Sequence, residues 1–557
     1  EEKVFTYMVD NLKPKLWSPQ SPNLYDFAFS LVSKKKTVDK SVITSGFRTF
    51  ESKNGLFYLN DNAYWLRGAN HTPFALAPND KKLADTFYQM MKAGNMEVTR
   101  THTSPYNKLW MDAADRNGVA ISYEGTWPWL MIHGSMPNKE LIDMWADEFI
   151  SLLKKYRNHP SLIFWTVNNE MKFYDNDPDF ERAKVKMKIV SDVVKRMRVV
   201  DGTRPICFDS NYKRKESKFG KEFFETIDDG DIDDIHAYIN WYNHSVFQQF
   251  NGEFQKHNKN EGRPLISQEM STGYPNNETG HPIRFYTLVH QNPQVLVGDQ
   301  AYAFGDPAAF LEVQSFITGE LGEALRRSND KASGILHFAL LTWFRNVYDS
   351  EKIEPYPTYY AMQRAMQPVL VTAEIWGRNF YAGDNLPLRV CVVNDKSDGK
   401  ALQPTTLKWK LVDDKGKSMA EGKDEFPTVA HYGREWITPA ITIPSKLPAQ
   451  KITGKLLIEL TENGKTISTN EYKLTFADKT WAQSPAVKNK KIVLVDFNNM
   501  KSAIDHMGIQ YTQAENVNSA FKIPADLYIL SGLDQEKNIS LQEVGVIKNY
   551  VAKGGKV

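Results

Sequence analysis

Phe164-Trp165-Thr166-Val167-Asn168-Asn169-Glu170 and, further along, Pro264-Leu265-Ile266-Ser267-Gln268-Glu269 decide the reading of this chain. Each is an apolar, β-branched run that stops at a carboxylate. A strand covered on both faces reads as such a run, and a polar residue at its C-terminal end points at whatever lies above the sheet. In a βα-barrel that end is the functional face. Working outward, comparable runs recur between about residue 60 and residue 345 with helical stretches between them. They are Trp65–Asn70, Glu97–His102, Gly118–Glu124, the Glu170 run, Pro205–Ser210, Ile232–Tyr238, the Glu269 run and Gly334–Trp343. That makes eight, with Glu170 on the fourth and Glu269 on the seventh. The stretch Leu141–Leu153 shows the helical period of the connecting segments.

The flanks differ. Residues 1–46 read as a few strands, Val4–Val9 and Tyr25–Val32, around the turn Trp17-Ser18-Pro19-Gln20-Ser21-Pro22-Asn23. Two or three strands close no sandwich by themselves, so this is expected to be the C-terminal part of an immunoglobulin-like β-sandwich. Residues 47–367 make the barrel. From 368 to 480 short alternating strands with turn signals follow (Pro387–Asp395, Thr406–Val412, Ala440–Pro444, Gly454–Leu460), a second immunoglobulin-like β-sandwich. Residues 485–557 alternate strand and helix, with strands at Lys491–Asp496 and Asp526–Ser531, as in part of a doubly wound, flavodoxin-like α/β domain. The fold class is therefore α/β multidomain, a (β/α)8 TIM barrel flanked by sandwiches with a partial α/β segment at the end. The chain is expected to be a piece of something longer, truncated at both ends. Tyr274–Gly322 reads as a long insertion before the eighth strand.

Composition excludes several classes. A net charge of +2 over 557 residues offers no basic surplus for nucleic acid. No apolar stretch reaches the ~18 residues of a membrane span. The two cysteines, Cys207 and Cys391, fall in different predicted domains, which argues against a disulfide between them. No cluster with metal-ligand spacing stands out, so no cofactor is expected. Thirteen Trp and 25 Tyr supply flat apolar faces suited to sugar rings, although cores claim aromatics first.

Two carboxylates facing one another above a barrel are the minimum equipment for glycoside hydrolysis. The motifs carry a resemblance in that direction. Gly46-Phe47-Arg48-Thr49-Phe50 through Leu66-Arg67-Gly68-Ala69-Asn70 resembles the barrel entry of glycoside hydrolase family 2, and Arg157-Asn158-His159-Pro160-Ser161 leading into Asn169-Glu170 resembles its acid/base motif. Trp17-Ser18-Pro19 followed by Pro22-Asn23-Leu24-Tyr25 is similar to the last strands of the domain that precedes the barrel. The resemblance spans roughly residues 14–370. It implies a bacterial polysaccharide-degrading setting, periplasmic or extracellular, and an upstream sugar-binding jelly roll. It implies a retaining exo-β-glycosidase, β-galactosidase first, with mannosidase, glucosaminidase and glucuronidase as alternatives of the same mechanism. A carbohydrate-binding protein on a dead barrel is the reading from another class. A carbohydrate is the expected partner, and a homo-oligomer is compatible with it.

Glu170 is then the general acid/base and Glu269 the nucleophile. By resemblance, Asn169 bonds the substrate's 2-hydroxyl. Arg100 at the tip of the second strand is the natural cation to keep Glu269 charged. Tyr238 is placed to hydrogen-bond that carboxylate, and Trp343 to supply a floor for the sugar. His71 and His236 are further substrate-binding candidates. His102 and Glu124 sit at strand tips as rim or supporting residues, and Asp209 and Asn211 at the fifth strand are candidate contacts to sugar hydroxyls. The acid is expected to begin protonated while the nucleophile is ionised. Some galactosidases of the family use Mg²⁺ beside the acid/base, an ion for which no motif is visible. The tip Asn70-His71-Thr72-Pro73 is closer to the mannosidase and glucosaminidase branches, and no Asn-X-Lys device for a uronate follows the last strand.

Overall fold

The computed structural model describes residues 6–127, 129–131, 134–173, 179–238, 254, 257, 262–271, 273–283, 307–328, 330–482, 487, 489–534 and 537–557. At its centre stand eight parallel strands: β1 (Leu66–Asn70), β2 (Val98–Arg100), β3 (Ala120–Glu124), β4 (Leu162–Thr166), β5 (Ile206–Cys207), β6 (Asp233–Tyr238), β7 (Leu265–Ser271) and β8 (Gly334–Phe338). Their order around the sheet is β5-β4-β3-β2-β1-β8-β7-β6, and a parallel bridge from Cys207 to Ile232 nearly closes the ring. This is the TIM barrel the alternating pattern predicts. β1, β3, β4 and β8 are buried along their whole length, as strands enclosed on both faces must be.

The helices α1 (Lys81–Ala93), α2 (Lys108–Asn117), α3 (Lys139–Tyr156) and α4 (Phe180–Val200) each begin at an Asx residue. Asp80, Asn107, Asn138 and Asp179 accept from the third backbone N–H of their helix, which satisfies an orphan donor and fixes where the chain leaves each barrel loop. Gly68 is required by β1–β2 packing: a Cβ there would lie 2.3 Å from the Val98 carbonyl oxygen. Below the barrel, the hairpin Phe50–Lys53 and Leu56–Leu59 sends Phe50 and Phe57 against Phe164 at ring distances of 6.4 and 6.2 Å. With Leu66, Val98, Ile266 and Leu336 they form one buried cluster, so the barrel is plugged from beneath.

A sandwich follows, of a three-stranded sheet (Val369–Ile375, Leu388–Asn394, Arg434–Ile437) and a five-stranded sheet that includes Thr405–Asp413, Lys451–Glu462 and Lys465–Ala477. Helix α5 (Ala308–Arg327) ties it to the barrel. Arg326 bonds Asp395 at 3.0 Å, and the Arg327 guanidinium donates to Thr372 Oγ1 at 2.6 Å. The last segment is a three-stranded parallel sheet with Ile492–Asp496 central between Thr512–Ala514 and Leu527–Ser531, with helices at Met500–His506 and Leu541–Ala552. Among the described residues no helix is long and apolar enough to cross a membrane.

Several expectations are corrected. Residues 6–9 of the expected first strand are irregular, and its residues 4 and 5 lie outside the described residues; the first ladder is the hairpin Tyr25–Ser33 with Lys36–Ser45. Ala440–Pro444 makes only an isolated bridge from Thr442 to Asn385. The last part of the expected insertion, from Ala308 on, is helix α5. The eighth strand ends at Phe338, and Leu340–Trp343 coils into a 3-10 turn.

Candidate active site

Glu170 and Glu269 meet above the open end of the barrel. Glu269 is on β7 and its side chain is only 4% exposed; Glu170 lies just past β4 at 15%. Oxygens of the two carboxylates and a ring nitrogen of His236 lie within 4.8 Å of one another. Glu170 takes a left-handed backbone, φ 49°, rare for a residue with a Cβ and found where function fixes a side chain. Its N–H donates to Ser210 O at 2.9 Å and the Ser210 N–H to Asn168 O at 2.9 Å, so the β5 tip holds that turn.

An irregular ladder aims the other partners. β6 pairs Asp234 with Ile266 and then His236 with Glu269, two residues against three. This bulge on β7 breaks strict alternation and re-aims side chains, as bulges beside active sites do. Gln268 turns into the barrel, where its side chain bonds Ser122 (2.5 Å), Thr166 (3.2 Å) and Asp234 (3.0 Å), while Glu269 turns to the mouth opposite His236.

Three cations or potential cations surround Glu269. Arg100 Nη1 is 2.8 Å from Oε1, His102 Nε2 is 3.2 Å from the same oxygen, and His236 Nδ1 is 3.3 Å from Oε2. Burial opposes ionisation of this carboxyl, and the charges of His236 and Arg100 overcome it, so its pKa lies well below the usual value. Arg100 is a hub: Nε donates to Glu124 at 2.6 Å and Nη2 to Asn169 Oδ1 at 2.6 Å, and Glu124 in turn accepts from the Thr103 N–H at 2.7 Å. Arginine suits this place because its planar fork serves three partners at fixed angles.

His236 joins the two carboxylates. Its Nδ1 is 2.7 Å from Glu170 Oε1 as well as 3.3 Å from Glu269. Its Nε2 is 2.8 Å from Ser210 Oγ, and that hydroxyl gives its own hydrogen to Asp234 Oδ2 at 2.8 Å. Asp234 also accepts from the Gln268 and Asn211 backbone N–H groups. Nδ1 therefore faces only acceptors, and Nε2 faces an oxygen whose hydrogen is already spent. Nε2 thus donates to Ser210 Oγ, and Nδ1 shares a proton with Glu170 Oε1. Burial lowers its pKa, but the charges of Glu269, Glu170 and Asp234 outweigh burial and raise it. Glu170 is pulled down to about 2: burial opposes this, and the His236 contact and the Trp129 N–H, 2.9 Å from Oε2, prevail.

The Glu170–His236 pair is therefore where the acid's proton is held, and the opposite directions of the two pKa shifts draw it toward His236. The sequence reading made His236 a sugar contact because nothing in one chain shows which strand tips face each other. Asp115, His159 and Asp112 form a second acidic-histidine cluster, but Asp115 is spent on His159 (2.6 Å) and the Ser161 N–H (3.0 Å).

The other candidates divide. Arg100 and Asn169 join the constellation. His71 stacks on His102 at 5.1 Å and on Phe338 at 5.5 Å, and burial with the neighbouring cations pushes its pKa down to about 3, so it is neutral. Tyr238 ends β6, but its side chain lies outside the described residues. Trp343 is no sugar floor: the 3-10 turn after β8 tucks it fully inside the core, 5.0 Å from the His337 ring. Asp209 is buried too, accepting from the Met171 N–H at 3.0 Å, and burial raises its pKa well above the usual value. Trp129 went unnoticed, since a tryptophan in a loop carries no spacing signal.

The chain was compared with known proteins. The description "Glycosyl hydrolases family 2, TIM barrel domain" matches residues 50–296, and "Glycosyl hydrolases family 2" matches residues 2–48. Beta-galactosidases of Priestia megaterium and Psychromonas ingrahamii are each 32% identical, over 177 and 170 residues. Each alignment covers 28% of this chain, and 17% and 16% of the relative. Among solved structures, the Amycolatopsis orientalis exo-chitosanase CsxA superposes with TM-score 0.56 at 17% identity, over 83% of this chain and 55% of that one. The beta-D-mannosidase of Dictyoglomus thermophilum gives 0.56 at 18%, over 82% and 57%. The chain thus spans little more than half of those structures, and they share its fold. Motifs, barrel and family matches agree: the chain belongs to glycosyl hydrolase family 2.

Proposed function

We propose that this chain carries the catalytic barrel of a retaining exo-β-glycosidase that acts on terminal β-linked sugars, β-galactosides first. One observation carries the reading: Glu170 and Glu269 face each other with oxygens inside 4.8 Å and a His236 ring nitrogen between them. Retaining enzymes hold their carboxyls ~5–5.5 Å apart, inverting ones ~6.5–9.5 Å. A barrel that only bound sugar would have no need for two close carboxylates that repel. The names of the partial curated relatives favour galactose.

In this account Glu269, ionised and oriented by Arg100 and His102, attacks the anomeric carbon and forms the glycosyl ester. As its charge is consumed, His236 loses the anion that holds its proton. The proton passes along the 2.7 Å Nδ1–H···Oε1 bond to Glu170 and on to the departing glycosidic oxygen. In the second half Glu170, again a carboxylate, takes a proton from the water that attacks the ester, and His236 is recharged. Asn169, fixed by Arg100, is placed for the 2-hydroxyl.

The full-length protein should be assayed with p-nitrophenyl β-galactoside, β-mannoside, β-glucosaminide and β-glucuronide, following the first-formed anomer by NMR. Turnover with a β-anomer product supports the reading, and turnover of the galactoside above the others supports the sugar. An α-anomer product would refute retention, and sugar binding without turnover would favour a binding protein.

A further inference from the structure

Trp129 is a half-exposed indole in the loop after β3, 47% accessible, while most large aromatics around the mouth are buried. The tip of β4 places it. The Trp129 N–H donates to Asn169 O at 3.0 Å, and the Asn168 side-chain amide donates to Trp127 O at 3.0 Å. Both tryptophans have left-handed backbones, φ 69° and 58°, which a side chain with a Cβ adopts only where its surroundings enforce it. The indole is thus built in register with the acid/base, and its own N–H meets Glu170 Oε2 at 2.9 Å.

The direction of that contact matters. Glu170 Oε1 faces inward to His236 and Glu269, where the bound sugar's anomeric carbon must be. Oε2 is the outward oxygen, flanked by Trp129 and, at 3.7 Å, by Lys172. An acid that protonates a leaving oxygen stands between the cleaved sugar and the leaving group. A ring attached to its outward oxygen therefore lies beside the leaving group.

We propose that Trp129 forms the leaving-group subsite: its indole is the platform on which the aglycone rests, and the ligand class it selects is a pyranose with an apolar face. The proposal rests on the glycosidase reading. Pyranose C–H faces stack on indole, while the polar edge stays free for Lys172 and water. The same platform would bind an acceptor sugar once the first leaving group has gone.

The test compares wild type, Trp129→Ala and Trp129→Phe of the full-length protein on a β-linked disaccharide and on the β-glycosyl fluoride of the same sugar. Fluoride has no face to stack. Trp129→Ala should lose roughly 10-fold to 100-fold more in kcat/KM on the disaccharide than on the fluoride, and should transfer less glycosyl to added acceptor sugar relative to water. Trp129→Phe, which keeps a ring and drops the N–H, should retain most of the disaccharide preference. Equal losses on both substrates, or an unchanged transfer ratio, would overturn the proposal. No turnover of either substrate by the wild type would instead overturn the glycosidase reading beneath it.

Discussion

Replacing His236 with Asn tests the shared proton. The substitution removes the imidazole and leaves two carboxylates whose oxygens lie within 4.8 Å. At an effective dielectric near 20, unit charges at that distance repel by about 3.5 kcal/mol. That is about 2.5 pH units on whichever group yields first. Glu269 keeps Arg100 and His102, so Glu170, the more exposed of the two, yields. Its pKa, held at about 2 in the wild type with that repulsion already included, should rise once the His236 contact that depresses it is gone. Activity in the wild type is lost as pH rises through the pKa of His236, which its anionic neighbours raise above 6.5. In His236→Asn the essential proton belongs to Glu170 alone, so the basic limb of kcat/KM should move toward acid. At pH 7 the variant should be slower than the wild type, and recover much of that loss toward acid pH. An unmoved basic limb would refute the assignment of the proton to His236.

Other substitutions separate the remaining roles. Arg100→Met strands buried Glu124 and Glu269 and should cost ~3–5 kcal/mol of stability in urea unfolding as well as activity. Glu170→Ala should lose ~10²–10⁴-fold on disaccharides, far less on dinitrophenyl glycosides, and azide should restore turnover as the β-glycosyl azide. Trp343→Phe should lower stability by about 1–3 kcal/mol through a small cavity while leaving KM unchanged; a large rise in KM would return that ring to the sugar site.

The barrel was legible because its strands are short apolar runs with polar tips, and those tips survive the ±2-residue uncertainty of their ends. Glu170 and Glu269 were legible for the same reason. What one chain hides is lateral. That His236 lies between the carboxylates depends on a bulge at Ser267–Gln268, which no alternation pattern announces. Trp343 was misread because Leu340-Leu341-Thr342-Trp343 continues the apolar run of β8, whereas the backbone coils after Phe338. Trp129 was missed because its position comes from backbone bonds to Asn169. Helix α5 passed for an insertion because a helix buried on several sides loses its 3.6-residue stripe.

The most direct measurement is mass spectrometry of the full-length protein after incubation with 2-deoxy-2-fluoro-β-glycosyl fluorides of galacto, manno and gluco configuration. The account predicts one covalent sugar on the peptide carrying Glu269, trapped fastest from the galacto reagent, and none in Glu269→Gln. Label on another carboxylate, or a folded protein that turns over substrate yet never traps, would contradict it.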